Sequence, residues 1–272
     1  MYPYAVFLDI DLYTIFLLLG ILAAIIFFRV LTGKTNLSAK VFNFSLIVGI
    51  AAIVFGYLSA VLFQMFYDAI ATGKWEWGSG ATFYGGLIGA AVSFLLFYFV
   101  IGHFVFKDKQ HIKEFNVMLC SIMPCIVVAH GLGRIGCLFA GCCHGAETDS
   151  WVGIPMYDHT HKDFINFVPI QLFEALFLFA LFGVLVYLLI KRRNEYTASI
   201  YLIAYGVWRF VIEFWRDDDR GSIGFDGLSP SQLTAIIMVA TGVALIFLYK
   251  FVLKRVFANI GTAEKIDETN KE

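Results

Sequence analysis

The sequence predicts an all-α fold: a polytopic membrane protein with about seven transmembrane helices, its N-terminus outside and its C-terminus cytoplasmic. Three observations predict it. Hydrophobic residues make up 60% of the 272 and charged residues 15%, with a mean hydropathy of +0.77. A soluble domain is about 45–50% apolar and about 25% charged. A water-soluble fold of this length cannot bury that much apolar surface, which excludes a disordered chain, a coiled coil and an ordinary soluble enzyme. Apolar runs of membrane-spanning length, about 20 residues, recur along the chain. Basic residues gather in alternate connections, as the positive-inside rule requires.

The spans follow in order. The first covers about 12–31, the second 41–66 and the third 82–103. The fourth covers 115–138 and the fifth 169–190. The sixth, 199–215, is short and carries Arg209 and Glu213 inside its apolar pattern; the seventh is 231–253. Arg29 near the end of the first span is followed by Lys34 and Lys40, and Lys107, Lys109 and Lys113 follow the third. Lys191, Arg192 and Arg193 follow the fifth, and Lys250 near the end of the last is followed by Lys254, Arg255, Lys265 and Lys271. All four groups fall on one side of the expected topology. The opposite connections carry Asp68, Glu76, Glu147, Asp149, Asp158, Asp163 and the Asp run at 217–219. The opening residues have no basic region and no small-residue cleavage site, so no signal peptide is expected. Residues 1–258 are expected to form a single integral-membrane domain, and 259–272 a polar cytoplasmic tail. A net charge of −1 provides no global field for nucleic acid.

The polar residues inside apolar segments carry the functional signal. An arginine at bilayer depth costs roughly 2.5–3.5 kcal/mol on insertion scales, so it faces a cavity or a partner more often than lipid. Arg134 stands at the end of the fourth span in HGLGRIGCLFAGCCHG, among Gly131, Gly133, Gly136, Gly141 and Gly145. A guanidinium beside open backbone suits a phosphate, whose oxygens its fork binds in pairs. Arg209, Glu213 and Arg216 are spaced four and then three residues apart, which places them on one helix face. The bland reading of that stripe is a self-compensating ion-pair row. Gln171 and Glu174 are expected to face inward and hydrogen-bond. Tyr84 precedes a GGLIG run that reads equally well as a helix-packing face. Tyr13 reads equally well as part of an aromatic belt.

All five cysteines lie between Cys120 and Cys143. Cys137, Cys142, Cys143 and His144 offer ligand types that suit zinc, but their spacing is not a usual zinc pattern. Adjacent cysteines rarely chelate one ion comfortably, so no metal site is expected. Apolar filler, a disulfide on an outer face and thiol chemistry all stay open.

Several separated segments resemble one family, the prolipoprotein diacylglyceryl transferases. They are YGGLIGA at 84–90, GRIGCLFAGCCHG at 133–145, PIQLFEAL at 169–176 and YGVWRFVIEFWRDDD at 205–219, in the family's order. LSPSQLTAI at 228–236 and Tyr13 add to it. Tyr84, Cys137, Ala140, Cys142 and Val168 stand where the family pattern has His, Asn, Asn, Glu and His.

The resemblance implies transfer of a diacylglyceryl group from phosphatidylglycerol to the thiol of a lipobox cysteine in a prolipoprotein signal peptide. It implies a multi-pass protein of the bacterial cytoplasmic (inner) membrane and no cofactor. Arg134, Arg209 and Tyr84 are then the expected catalytic residues. Arg134, Tyr13, Gly145, Arg216, Glu213 and Gln171 are the expected substrate-binding residues. Two further readings stay open: a membrane thiol enzyme using Cys142 and Cys143, with Cys137 and His144 beside them, and a non-catalytic lipid-binding or transport protein on the same scaffold.

Overall fold

The computed structural model describes residues 10–75, 77, 80–158, 163–192, 195–216 and 229–253. Helices α1 (Leu12–Thr35), α2 (Ala39–Thr72) and α3 (Phe83–Leu96) come first. A π-helical segment, Phe97–Ile101, carries α3 into α4 (Gly102–Val105), and α5 (Gln110–Lys113) precedes α6 (Phe115–Ala140). A hairpin of β1 (Ile154–Asp158) and β2 (Asp163–Phe167) leads into α7 (Ile170–Lys191), α8 (Thr197–Ile212) and α9 (Pro230–Leu248). Glu76, Arg193, the acidic run at 217–219, and the basic residues and polar tail after 253 lie outside the described residues.

Among the described residues, six helical stretches are long and apolar enough to cross a membrane: Leu12–Thr35, Ala39–Ile70, Gly85–Val105, Phe115–Ala140, Ile170–Lys191 and Ser231–Phe251. They match the expected spans apart from the sixth. That one is α8, 16 residues long, followed by a 3-10 turn at Glu213–Trp215. It falls short by length. At about 1.5 Å per α-helical residue and about 2 Å per 3-10 residue, the two pieces together rise about 30 Å, the thickness of a bilayer's hydrocarbon core.

The chain falls into two compact units, Asn36–Met118 and Met1–Thr35 with Leu119–Glu272. In the unit Asn36–Met118, α2 and α3 are held face to face by small residues. A Cβ on Gly56 would stand 2.7 Å from Ala90 Cβ, and one on Gly86 3.3 Å from Ala60 Cβ. Removing side chains lets the two backbones approach, so the GGLIG run is a packing face. Glu114 accepts hydrogen bonds from Ser38 N and Ser38 Oγ at the start of α2.

In the other unit the core lies between α6, α7 and α8, where Val127, Leu178, Leu181, Leu185, Tyr201 and Tyr205 pack together. A second cluster, Leu138, Met156 and Phe167, seats the hairpin on the end of α6. The hairpin is antiparallel, with Ile154 opposite Phe167 and Asp158 opposite Asp163. Leu17, Leu18, Leu22, Ile26 and Val30 on α1 stay exposed, as an outer face against lipid requires. Helix α9 starts on a capping box: Ser229 Oγ accepts from Gln232 N, Gln232 Oε1 accepts from Ser229 N, and Pro230 follows the cap.

Pro124 lies inside α6. Lacking an N–H, it leaves the carbonyl of Cys120 without its helical donor. The hydroxyl of Thr197, fully buried at the start of α8, donates to that carbonyl at 2.9 Å. Substituting Thr197→Val keeps the shape and removes this buried donor, at a cost of about 1–3 kcal/mol. Thermal unfolding in detergent is expected to show a lower midpoint for Thr197→Val and a near-normal one for Thr197→Ser. Equal midpoints for Val and wild type would remove this account of how the helix accommodates Pro124.

Candidate active site

Charged side chains meet inside the unit that contains α6, α7 and α8. His130 and Arg134 are four residues apart on α6, and Tyr205 and Arg209 four apart on α8, so each pair shares a helix face. Glu174, fully buried on α7, stands between them. Its Oε2 lies 3.0 Å from Arg134 Nε. Its Oε1 accepts from Tyr205 Oη at 2.6 Å, and Tyr205 Oη lies 3.4 Å from His130 Nε2. The Arg134–Glu174 approach is a charge contact without an aligned hydrogen bond. Arg209 lies within electrostatic range of both His130 and Glu174.

Arg209 begins a second cluster. Its Nη2 is 2.9 Å from Glu213 Oε2 and donates to Ser231 Oγ at 2.8 Å. Glu213 Oε2 also lies 3.9 Å from Arg216 Nε, and Glu213 Oε1 accepts from Ser229 Oγ at 2.8 Å. The expected stripe of Arg209, Glu213 and Arg216 therefore exists, even though α8 ends at Ile212 and tightens to 3-10 geometry beyond it. Arg209 is 6% exposed, and its Nη1 is buried without a hydrogen-bond partner among the described residues. A buried donor left unmatched costs about 1–3 kcal/mol, more on a charged group.

The cysteine loop follows α6. Gly141 (φ 70°) and Cys143 (φ 61°) both adopt the left-handed conformation, which reverses the chain at the helix end. Cys142 N bonds back to Cys137 O at 3.2 Å. The sulfurs of Cys137, Cys142 and Cys143 thereby come within 4.8 Å of one another. All five cysteines are free thiols. Hydrogen bonds from Cys137 and Cys142 hold the Cys143 thiol below the ordinary thiol range, and the same network pushes Cys142 up. Gln171, fully buried, donates from Nε2 to the carbonyl of Cys142, so it tethers the loop. His144 turns to the hairpin: its ring packs on Phe167 at 3.9 Å, and its Nδ1 lies 3.0 Å from Gly145 O.

Gly145 bonds through its N–H to Val168 O at 2.9 Å. A Cβ there would stand 2.6 Å from Trp215 O and 2.7 Å from Ile170 Cδ1, so glycine is required by close approach of backbone. Tyr13 lies against α6, where a Cβ on Gly136 would meet its Cδ2 at 3.3 Å. It is within electrostatic range of the three cysteines and Arg134. Tyr84 belongs to the first turn of α3, in the unit Asn36–Met118, and its side chain lies outside the described residues. One unit thus brings together Arg134, Arg209, Arg216, Glu213, Gln171, Tyr13, Gly145 and the cysteines.

In the sequence alone Glu174 has no role beyond facing inward and hydrogen-bonding, and Tyr205 has none. The available signal was Glu174 itself, a carboxylate inside a 22-residue apolar helix that also contains no compensating cation near it in sequence.

The family described as prolipoprotein diacylglyceryl transferase matches residues 3–248. The chain is 33% identical over 233 residues to a Clostridium perfringens protein named phosphatidylglycerol–prolipoprotein diacylglyceryl transferase 2, covering 84% of this chain and 86% of that one. It is 31% identical to a Clostridium tetani protein named phosphatidylglycerol–prolipoprotein diacylglyceryl transferase, covering 83% and 87%. It is 28% identical to a Dehalococcoides mccartyi protein of that name, covering 88% of each. No solved structure matches the chain. With the family pattern running through nearly the whole length and its arginines gathered in one buried cluster, the chain belongs to the prolipoprotein diacylglyceryl transferase family.

Proposed function

We propose that the chain transfers a diacylglyceryl group from phosphatidylglycerol to the thiol of a lipobox cysteine in a prolipoprotein signal peptide. The proposal places it in the bacterial cytoplasmic (inner) membrane, with the N-terminus outside and the C-terminus cytoplasmic. Residues 1–258 are taken to work as one integral-membrane domain and 259–272 as a cytoplasmic tail. Relatives named for this reaction cover most of the chain.

The observation that carries the reading is the gathering of guanidiniums in one buried site. Among the described residues, Arg134 pairs with Glu174 and Arg209 with Glu213, and Arg216 lies 3.9 Å from the same Glu213. Such a cluster of fixed cations suits the negative charge of a phosphodiester headgroup. Among the described residues Arg209 Nη1 has no acceptor, so it can donate to a phosphate oxygen. During transfer the thiolate sulfur attacks a glycerol carbon, the C–S bond forms and the C–O bond to phosphate breaks. Its electron pair leaves on glycerol-1-phosphate. Fixed cations at the departing phosphate lower the barrier most when they need no reorganisation, and Glu174 and Glu213 hold the guanidiniums in place before substrate arrives. In this reading Tyr13, Gln171 and Gly145 border the headgroup.

Arg134→Lys keeps the charge and removes the planar fork. With phosphatidylglycerol and a lipobox peptide, it is expected to lower turnover by about a hundredfold or more. Release of glycerol phosphate and a diacylglyceryl mass on the peptide are the readouts. Wild-type-like turnover by this variant would count against the assignment, and lipid binding without turnover by the wild type would favour a binding or transport protein. The topology has its own test. Trp151, 95% exposed in the loop after α6, is expected to face outside. In intact spheroplasts Trp151→Cys should add a membrane-impermeant maleimide label over the wild-type background. A label gained only after lysis would reverse the orientation.

A further inference from the structure

The cysteine cluster takes no part in the ion pairs that hold the arginines, and its geometry points to a site of its own. We propose that Cys137, Cys142 and Cys143 form a three-thiolate site for a zinc-class soft cation, with a fourth position that takes the acceptor thiol. The second half rests on the transferase reading; the first does not.

The spacing C-x4-CC looks unsuitable while the loop is imagined as extended chain. Two left-handed residues, Gly141 and Cys143, fold it back on the helix end instead, and the three sulfurs converge within 4.8 Å. With zinc–sulfur bonds of about 2.3 Å, three sulfurs around one ion stand about 3.8–4.0 Å apart. The observed sulfurs need only close by less than about 1 Å to reach that geometry. Backbone ties already hold them: Cys142 N to Cys137 O, and Gln171 Nε2 to Cys142 O. Three thiolates around a divalent ion carry one net negative charge. Arg134 acts electrostatically on Cys137, and Arg134 and Arg216 on Cys143, which offsets it.

Burial gives the site a direction. Cys142 is exposed while Cys137 and Cys143 are half-buried, so the cluster opens on one side. Three protein ligands with an open fourth position describe a catalytic rather than a structural zinc site. The natural fourth ligand is the substrate's own group. An acceptor thiol that displaces water there gives its proton to solvent and is held as the thiolate, the form that attacks carbon. The cation undergoes no redox change. The sulfur, once alkylated to a thioether, is a weaker ligand and leaves.

The test uses the full-length protein in detergent, reduced and stripped of metal, titrated with zinc and with cadmium. Cadmium reports thiolate ligation through its ultraviolet charge-transfer absorption. One equivalent of either ion is expected, and Cys142→Ser and Cys137→Ser should each lose it while keeping the wild-type thermal transition. Absence of stoichiometric binding by the reduced wild type overturns the site, as does full binding by either variant. A wild type that takes up no metal after reduction and reoxidises to a disulfide among these cysteines also overturns it. Adding a lipobox peptide to the cadmium form should then alter the absorption, and the same peptide with serine in place of cysteine should not. No change, or an equal change with both peptides, overturns the acceptor-thiol half. These readouts need neither phosphatidylglycerol nor turnover. A protein that binds metal and thiol yet transfers nothing upholds this site and overturns the transferase reading.

Discussion

An ionised carboxylate fully buried in an apolar helix bundle must be matched, and here Glu174 is matched by Arg134. Moving either ion out of water costs several kcal/mol, and neither helix could be inserted comfortably with its charge unpaired. The contact between them therefore fixes α6 against α7. Tyr205 fixes α8 against both, because its ring belongs to the apolar core and its hydroxyl to Glu174. Removing one partner of such a pair costs about 3–5 kcal/mol, since a buried charge is left behind. The pair is thus a condition of the bundle as much as a feature of the site.

The same constraint repeats where α8 ends. Glu213 accepts from Ser229, pairs with Arg209 and lies near Arg216, while Ser231 accepts from Arg209. The carboxylate joins the end of one helix to the cap of the next. Beside it, the carbonyl of Trp215 accepts from Ala146 N and leaves room only for glycine at 145. The loop that carries the cysteines is consequently positioned by the same turn that positions Arg216. Chemistry and architecture are linked here because in a medium without water every polar group needs a protein partner, and the partners of reactive groups are the helix ends.

Much of this was legible in the residues. Composition and the recurrence of apolar runs determined a helical membrane protein, because only hydrocarbon can accommodate 60% hydrophobic residues at this length. The isolated arginines and the inward Gln171 and Glu174 were legible for the same reason: a polar group in an apolar helix needs a partner. The four-and-three spacing put Arg209, Glu213 and Arg216 on one face without any structure, and the sixth span's shortness was visible too. Tertiary structure decided what spacing along the chain cannot encode. Arg134 and Glu174 are forty residues apart in sequence, so their pairing depends on how α6 and α7 pack. The convergence of three sulfurs depends on left-handed backbone at Gly141 and Cys143, which residue type permits at the glycine and does not announce at the cysteine. Hydrophobic pattern is a local property and is written in the sequence; the partner of a buried charge, and the direction of a turn, are set only when the helices meet.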